Sequence, residues 1–83
     1  MNEAIKEELA QYEAKSRSLG KDIKKVEAEL NVWKTRIITG EGISSDEDLD
    51  LAMYEVRKCL YAIEGMESDL RVSIDMQIRL LKG

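Results

Sequence analysis

The sequence predicts an all-α fold in which two long antiparallel helices form a coiled-coil-like hairpin. Charged residues make up 36% of the chain, and proline and phenylalanine are absent, which is typical of long solvated helices. One short segment is rich in glycine and serine, and apolar residues recur every three or four positions on both sides of it. We therefore expect one domain over residues 1–83, with helices over about 3–38 and 46–82 and a loop over about 39–45.

The first helix is predicted from a heptad pattern. Ten residues alternate spacings of four and three without interruption, which indicates the seam of a coiled coil. They are Ile5, Leu9, Tyr12, Ser16, Leu19, Ile23, Val26, Leu30, Trp33 and Ile37. The opposite face is charged, so we expect this helix to lie at the periphery of any assembly. Its charged side chains are Arg17, Lys21, Lys24, Lys25 and Glu29.

The segment TGEGISSDED, residues 39–48, predicts the only loop. Gly40 or Gly42 can adopt the left-handed conformation that ends a helix. The acidic residues that close the segment suit the positive end of a helix dipole, so they would begin the second helix. Two capping boxes fit that start: Ser44 with Glu47, and Ser45 with Asp48.

The second helix repeats the spacing of the first. Its predicted seam is Leu49, Met53, Val56, Leu60, Ile63, Glu67, Leu70, Ile74, Gln77 and Leu81. If the chain folds back at the loop, Ile37 pairs with Leu49 and Trp33 with Met53, and the residue numbers of each pair add to 86. Two seams that mirror each other about one loop predict an antiparallel hairpin with arms of roughly 50 Å.

The last fifteen residues, DLRVSIDMQIRLLKG, alternate apolar and polar side chains, which is also the period of a strand. We interpret them as helix because the seam continues through them in phase. The alternation then predicts a second apolar stripe on the back of this helix. A chain this short buries a small fraction of its surface, so association with another chain would stabilise it. We expect a homo-oligomer, a dimer that forms a four-helix bundle, with this interface: Tyr54, Tyr61, Gly65, Val72, Met76 and Leu80.

Glycines interrupt both predicted helices at nearly equal height. Gly20 and Gly65 each lower helix stability by about 1 kcal/mol relative to alanine, so we expect each glycine to have a structural or functional role. One interpretation is close approach of a neighbouring helix or a tolerated kink, and the other is a hinge where the hairpin bends to admit a partner. Glu67, at a seam position, would specify register or oligomeric state.

The sequence predicts no enzyme, metal site or cofactor. Histidine is absent, and Cys59, the single cysteine, has no partner for zinc binding or nucleophilic catalysis. Counted from Asp46, the glycine and glutamate that a calcium loop needs are replaced by Leu51 and Arg57. The net charge of −4 disfavours nucleic-acid binding, and the single cysteine with no apolar leader or membrane-length run favours a cytoplasmic setting.

These features favour a non-enzymatic protein–protein interaction module: a scaffold, adaptor, chaperone or inhibitor of an unidentified protein partner. Such a chain would suit a small accessory protein of a bacterium or bacteriophage. Candidate partner contacts are Lys21, Lys24, Lys25, Asp46, Glu47, Asp48 and Asp50.

Two alternatives remain open. The first is an oligomeric sequestrant of a small nucleotide-like ligand, whose phosphate would be contacted by Arg17, Lys21, Lys24 or Arg71. The second is an acidic decoy that blocks a nucleic-acid-binding enzyme through carboxylates of the loop and the start of the second helix. Those carboxylates are Glu41, Asp46, Glu47, Asp48 and Asp50.

Overall fold

The computed structural model describes residues 2–83 as two α-helices joined by a short loop. Helix α1 spans Glu3–Thr39 and helix α2 spans Asp46–Lys82, each with 37 residues. The helices pack along their length in an elongated body of 61 × 14 × 14 Å. No strand occurs between residues 2 and 83, so the alternating segment near the carboxyl end is helical. The predicted all-α helical hairpin is confirmed.

Both ends of α1 are capped by groups that the local sequence supplies. The side chain of Asn2 accepts a hydrogen bond from the backbone N–H of Ile5 at 2.9 Å, which satisfies one free amide of the first turn. Gly40 ends the helix with φ 77°, and its amide donates to the carbonyl of Arg36 at 2.8 Å. The left-handed conformation at Gly40 turns the chain away from the helix axis and opens the loop.

The start of α2 is fixed by one of the two predicted capping pairs. Ser45 is the N-cap, and its hydroxyl accepts from the amide of Asp48 at 3.1 Å. The Asp48 carboxylate in turn accepts from both the amide and the hydroxyl of Ser44, each at 3.0 Å. These hydrogen bonds to Ser44 are the main reason that the pKa of Asp48 lies below its ordinary value. Of the two predicted pairs, Ser45 with Asp48 caps the helix, although the Asp48 side chain accepts from Ser44 and not from the Ser45 amide of a strict capping box.

The register between the helices differs from the prediction. The Ser16 and Ser73 hydroxyls are 2.9 Å apart, and the Gln77 amide donates to the carbonyl of Tyr12 at 3.3 Å. Facing residues such as 16 with 73 and 12 with 77 have numbers that add to 89, not 86. The predicted pairs, including Ser16 with Leu70, are wrong by almost one helical turn.

The difference comes from α2, because every predicted seam position of α1 is buried or half-buried. On α2, Ala52, Cys59 and Ser73 are buried at 1%, 3% and 1% exposure, while the predicted Met53 and Leu60 are each 49% exposed. The observed inner seam of α2 keeps the three-and-four spacing. It consists of Leu49, Ala52, Val56, Cys59, Ile63, Met66, Leu70, Ser73, Gln77 and Leu80.

Side-chain size accounts for this choice of seam. The predicted and observed seams share every second residue and differ by one position at the others. Ala52, Cys59 and Ser73 are small, so α1 can approach them closely, and larger side chains one position later are left outside. The predicted layer of Trp33 against Met53 is wrong: Trp33 is half-buried, and Arg36 of its own helix lies 4.7 Å from its ring centre.

The hairpin core is thin. Between residues 2 and 83, the buried apolar side chains are Leu30, Ala52 and Cys59, and Ser73 is buried with them. The radius of gyration is 18.4 Å, whereas a compact chain of this length would have about 12 Å. The fold therefore leaves much of its apolar surface uncovered.

Candidate interaction surface

A row of exposed, mostly apolar side chains lies along one side of α2. We call it the flank stripe, and it is formed by Met53, Leu60, Glu67, Ile74, Ile78 and Leu81. All six side chains are exposed, and the five apolar ones are large. Each of the six follows an inner-seam residue by one position, so the stripe runs parallel to the α1 contact and beside it.

Two grooves follow the flank stripe from the loop end toward the middle of the hairpin. The first has a volume of about 360 Å³ and is lined by Ile37, Met53, Val56, Arg57 and Leu60. The second, also about 360 Å³, is lined by Leu60, Ile63, Glu64, Glu67, Ser68 and Arg71. The two share Leu60, so they form one path that begins apolar and becomes charged. An open path that is partly apolar and partly charged suits the side chains of a packed helix. A small-molecule site is usually more enclosed.

The predicted back stripe of α2 does not form one uncovered face. Tyr54, Tyr61 and Val72 are exposed as expected. Met76 and Leu80, however, are half-buried, and Leu80 belongs to the inner seam. This correction follows from the same one-position shift of the seam, which turns the carboxyl end of the stripe toward α1. The exposed part of the back stripe is the set Tyr54, Tyr61, Gly65 and Val72.

A hydrogen-bonded polar layer lies inside the hairpin, toward the chain ends. Ser73 Oγ donates to the Tyr12 carbonyl at 2.9 Å, and Ser16 Oγ is then placed to donate to Ser73. Gln77 Nε2 donates to Ser16 Oγ at 2.9 Å as well as to Tyr12. No buried side-chain nitrogen or oxygen between residues 2 and 83 lacks a partner. The layer is thus internally satisfied, and its groups serve the register between the helices.

The two mid-helix glycines face open space. A Cβ atom built on Gly20 or Gly65 would meet nothing within 4 Å, and the helices continue through both positions. Close approach of the other helix within the hairpin is therefore not the reason for either glycine. The hinge at Gly20 and Gly65 stays a prediction, as does contact with a helix of another chain.

The predicted charged contacts are distributed over two surfaces. Lys21, Lys24 and Lys25 are exposed on the outer face of α1. Asp46, Glu47 and Asp50 are exposed at the start of α2, some 20 residues further along the chain. Asp48 differs from these acids because its carboxylate is engaged by Ser44 in the cap.

Cys59 lies in the inner seam as a free thiol. Burial raises its pKa, and the nearby carboxylates of Glu29 and Glu55 raise it further. The thiolate is therefore suppressed at neutral pH, which makes the thiol a weak nucleophile. Within residues 2–83 there is no cluster of three or more histidine, cysteine or acidic side chains of the kind that holds a metal ion.

Neither helix contains a stretch long and apolar enough to cross a lipid bilayer, over the residues that the structure describes. Comparison of the chain with protein-family models, curated proteins and solved structures gives no significant match.

Sequence reasoning missed the small side chains of the inner seam. Ala52, Cys59 and Ser73 are separated by one heptad and by two heptads, and this regularity was the available signal. It is easily overlooked because larger apolar residues stand one position later. The predicted seam lies one position later at every second residue. It therefore assigns most flank-stripe residues to the contact with α1, and the stripe is not recognised as exposed.

Proposed function

We propose that this protein is a non-enzymatic interaction module: a helical hairpin that self-associates through α2 and presents the resulting bundle to a protein partner. Scaffold, adaptor, chaperone and inhibitor are the roles that such a bundle serves. The observation that carries the proposal is the row of large apolar side chains along α2 that α1 leaves exposed.

The exposed area supports the proposal. The chain exposes 6306 Å² at a mass of 9.5 kDa, whereas compact monomers of that mass expose roughly 5,000 Å². The excess of about 1,300 Å² exceeds the roughly 800 Å² that each partner buries in a standard interface. Association of α2 with another helix would remove this excess and thicken the core.

The distribution of charge supports the orientation of the module. The outer face of α1 carries Lys21, Lys24 and Lys25, which would lose hydration if buried between subunits. The flank stripe has one charged side chain, Glu67, among five apolar ones. A bundle assembled through α2 therefore leaves the lysines of α1 and the acids near the loop available to a protein partner.

Sedimentation equilibrium over a range of protein concentrations tests self-association. We expect a species of about 19 kDa, twice the chain mass of 9.5 kDa, at high concentration. A chain that stays near 9.5 kDa at every concentration would contradict the proposal. Native mass spectrometry of the same sample would also detect a retained small ligand, the outcome expected of a sequestrant.

A further inference from the structure

The flank stripe has the spacing of a second coiled-coil seam. Its members from Met53 to Leu81, together with the intervening Arg57, Glu64 and Arg71, follow one another at alternating steps of four and three residues. This spacing keeps side chains in line along a helix, so that a second helix can pack against them at a small crossing angle. Helix α2 thus carries two adjacent seams, and α1 occupies only one of them.

The same side of α1 does not offer an equivalent surface. In an antiparallel hairpin, residues that follow the inner seam by one position lie on the same side of both helices. On α1 these positions are mostly polar or small, and the one large apolar residue among them is Ile38, next to the loop. They are Lys6, Ala10, Glu13, Arg17, Gly20, Lys24, Glu27, Asn31, Lys34 and Ile38. A helix that covers the flank stripe therefore makes its apolar contacts with α2.

We infer that the occupant of the flank stripe is the flank stripe of a second copy, with the two α2 helices antiparallel about a two-fold axis near residue 69. This inference rests on the proposed function, because it names the surface and the partner through which self-association occurs. In such an isologous contact, a residue of one copy faces a different residue of the other copy. The two-fold axis repeats the same pair with the copies exchanged, so each pair occurs twice.

The charges in and beside the stripe disfavour a parallel arrangement. Arg57, Glu64, Glu67 and Arg71 read positive, negative, negative, positive along α2. In a parallel pair in register, each of these side chains would face its own copy, so that like charges would meet four times. Like charges facing each other across an interface disfavour that arrangement. The antiparallel orientation avoids these contacts when the helices are correctly offset.

The same charges select the offset between antiparallel helices. In the chosen offset, Glu67 faces Arg71 of the other copy and Leu60 faces Ile78, each twice because of the symmetry. An offset by one heptad places Glu67 opposite Glu64, so acids would meet at the centre. A further heptad places Glu67 opposite Arg57, but then Ile78 faces Asp46, an acid at the start of α2. The first offset alone combines opposite charges with an apolar layer.

The contact is long enough for a specific dimer. With Glu67 facing Arg71, the two helices overlap over residues 57–81, about 25 residues or roughly 37 Å. This covers Leu60, Ile74, Ile78 and Leu81, all of them exposed in the single hairpin. The area that the single hairpin exposes in excess of a compact monomer is sufficient for an interface of standard size.

Charge reversal tests the inference because each offset gives a different result. Glu67→Arg would place two arginines opposite each other, so we expect the dimer dissociation constant to rise by roughly tenfold or more. Adding Arg71→Glu restores opposite charges and should restore dimerisation, whereas adding Arg57→Glu should not. Asp22→Arg on α1 makes the same change in net charge and should leave the dissociation constant unchanged. Circular dichroism confirms that each variant keeps its helical content.

The other outcomes overturn the inference. Rescue by Arg57→Glu, rescue by neither reversal, or tighter association of Glu67→Arg would each show a different offset or surface. A dimer that is insensitive to all these changes would contradict the flank-stripe contact and leave self-association standing. A wild-type monomer would contradict the proposed function itself.

Cross-linking gives a readout that does not depend on the charge variants. In a Cys59→Ala background, Leu60→Cys combined with Ile78→Cys should form disulfide-linked dimers on oxidation, because these positions face each other. Either substitution alone should not, since equivalent positions on the two copies would lie about 27 Å apart along the axis. Equal cross-linking of the single and double variants would overturn the offset.

Discussion

The hydroxyl of Ser73 on α2 lies 2.9 Å from the hydroxyl of Ser16 on α1, and Ser73 is only 1% exposed. A buried serine in a two-helix core is tolerated because it donates to the carbonyl of Tyr12 while accepting from Ser16. The pair sets which residues of the two helices face each other, since a shift of either helix would leave these groups buried without partners.

Replacement of Ser73 by alanine should therefore lower stability. The carbonyl of Tyr12 and the hydroxyl of Ser16 would each lose a partner in a buried layer, at a cost of about 1 to 2 kcal/mol. Thermal melts at fixed protein concentration should show a fall in Tm of about 4 to 8 °C per kcal/mol for a domain of this size. Ser18→Ala, at an exposed position of α1, is the matched control and should melt like the wild type. Equal melting of the Ser73 and Ser18 variants would argue against a structural role for the polar layer.

The thiol of Cys59 should react slowly with alkylating reagents in the folded protein. It is 3% exposed, and burial together with Glu29 and Glu55 raises its pKa. A cysteine moved one position along, in Leu60→Cys with Cys59→Ala, should react much faster because Leu60 is 49% exposed. The reaction is followed at mildly alkaline pH, with urea-unfolded samples giving the unprotected rate for both. Faster reaction of the native thiol than of the displaced one would support the register in which Leu60 is in the seam.

Alanine at the two mid-helix glycines should stabilise the hairpin. Neither Gly20 nor Gly65 has an atom within 4 Å of an added Cβ, so alanine should contribute about 0.5 to 1 kcal/mol at each site. Gly40→Ala is the control, and it should destabilise because Gly40 has a φ of 77°. Chemical denaturation measures both effects. If Gly65→Ala stabilises the chain but weakens its association, then the open space at Gly65 is used by another chain.

Stability should depend on the ionisation of Asp48. Hydrogen bonds from Ser44 lower the pKa of Asp48 in the folded state below its ordinary value of 3.8. The resulting stabilisation is present in full above the unfolded pKa and is lost as the pH falls through the lowered folded value. Melts of wild type and Asp48→Asn should therefore differ at neutral pH and converge as the pH falls from 3.8 through the lowered pKa of the folded state. A constant difference between wild type and Asp48→Asn at all pH values would contradict this linkage.

Hydrophobic periodicity predicted the helices and the loop because both depend on local features. Spacing located α1 and its whole seam, and the observed caps, Gly40 and Ser45, are each one of the two candidates that the loop sequence offered. The pairing of the helices depended on α2, where residues 52 and 53 compete for the same place in the seam. A preference for large apolar side chains chose Met53, but the packing of two helix axes favoured the smaller Ala52. Side-chain size matters here through the distance between the two helix axes. The periodicity of a single helix carries no information about that distance.

The short loop also has a consequence for the order in which the hairpin assembles. Contacts beside the loop join residues close in sequence, whereas the Ser16 and Ser73 pair is separated by 57 residues. Closing the longer connection costs more chain entropy unless the intervening turns have already formed. We expect folding to nucleate at the capped turn and the two helices to pair progressively from there toward the chain ends. The polar layer would then form late. If the helices paired in the wrong register, its groups would lack partners, and folding would stop there before the chain ends pack.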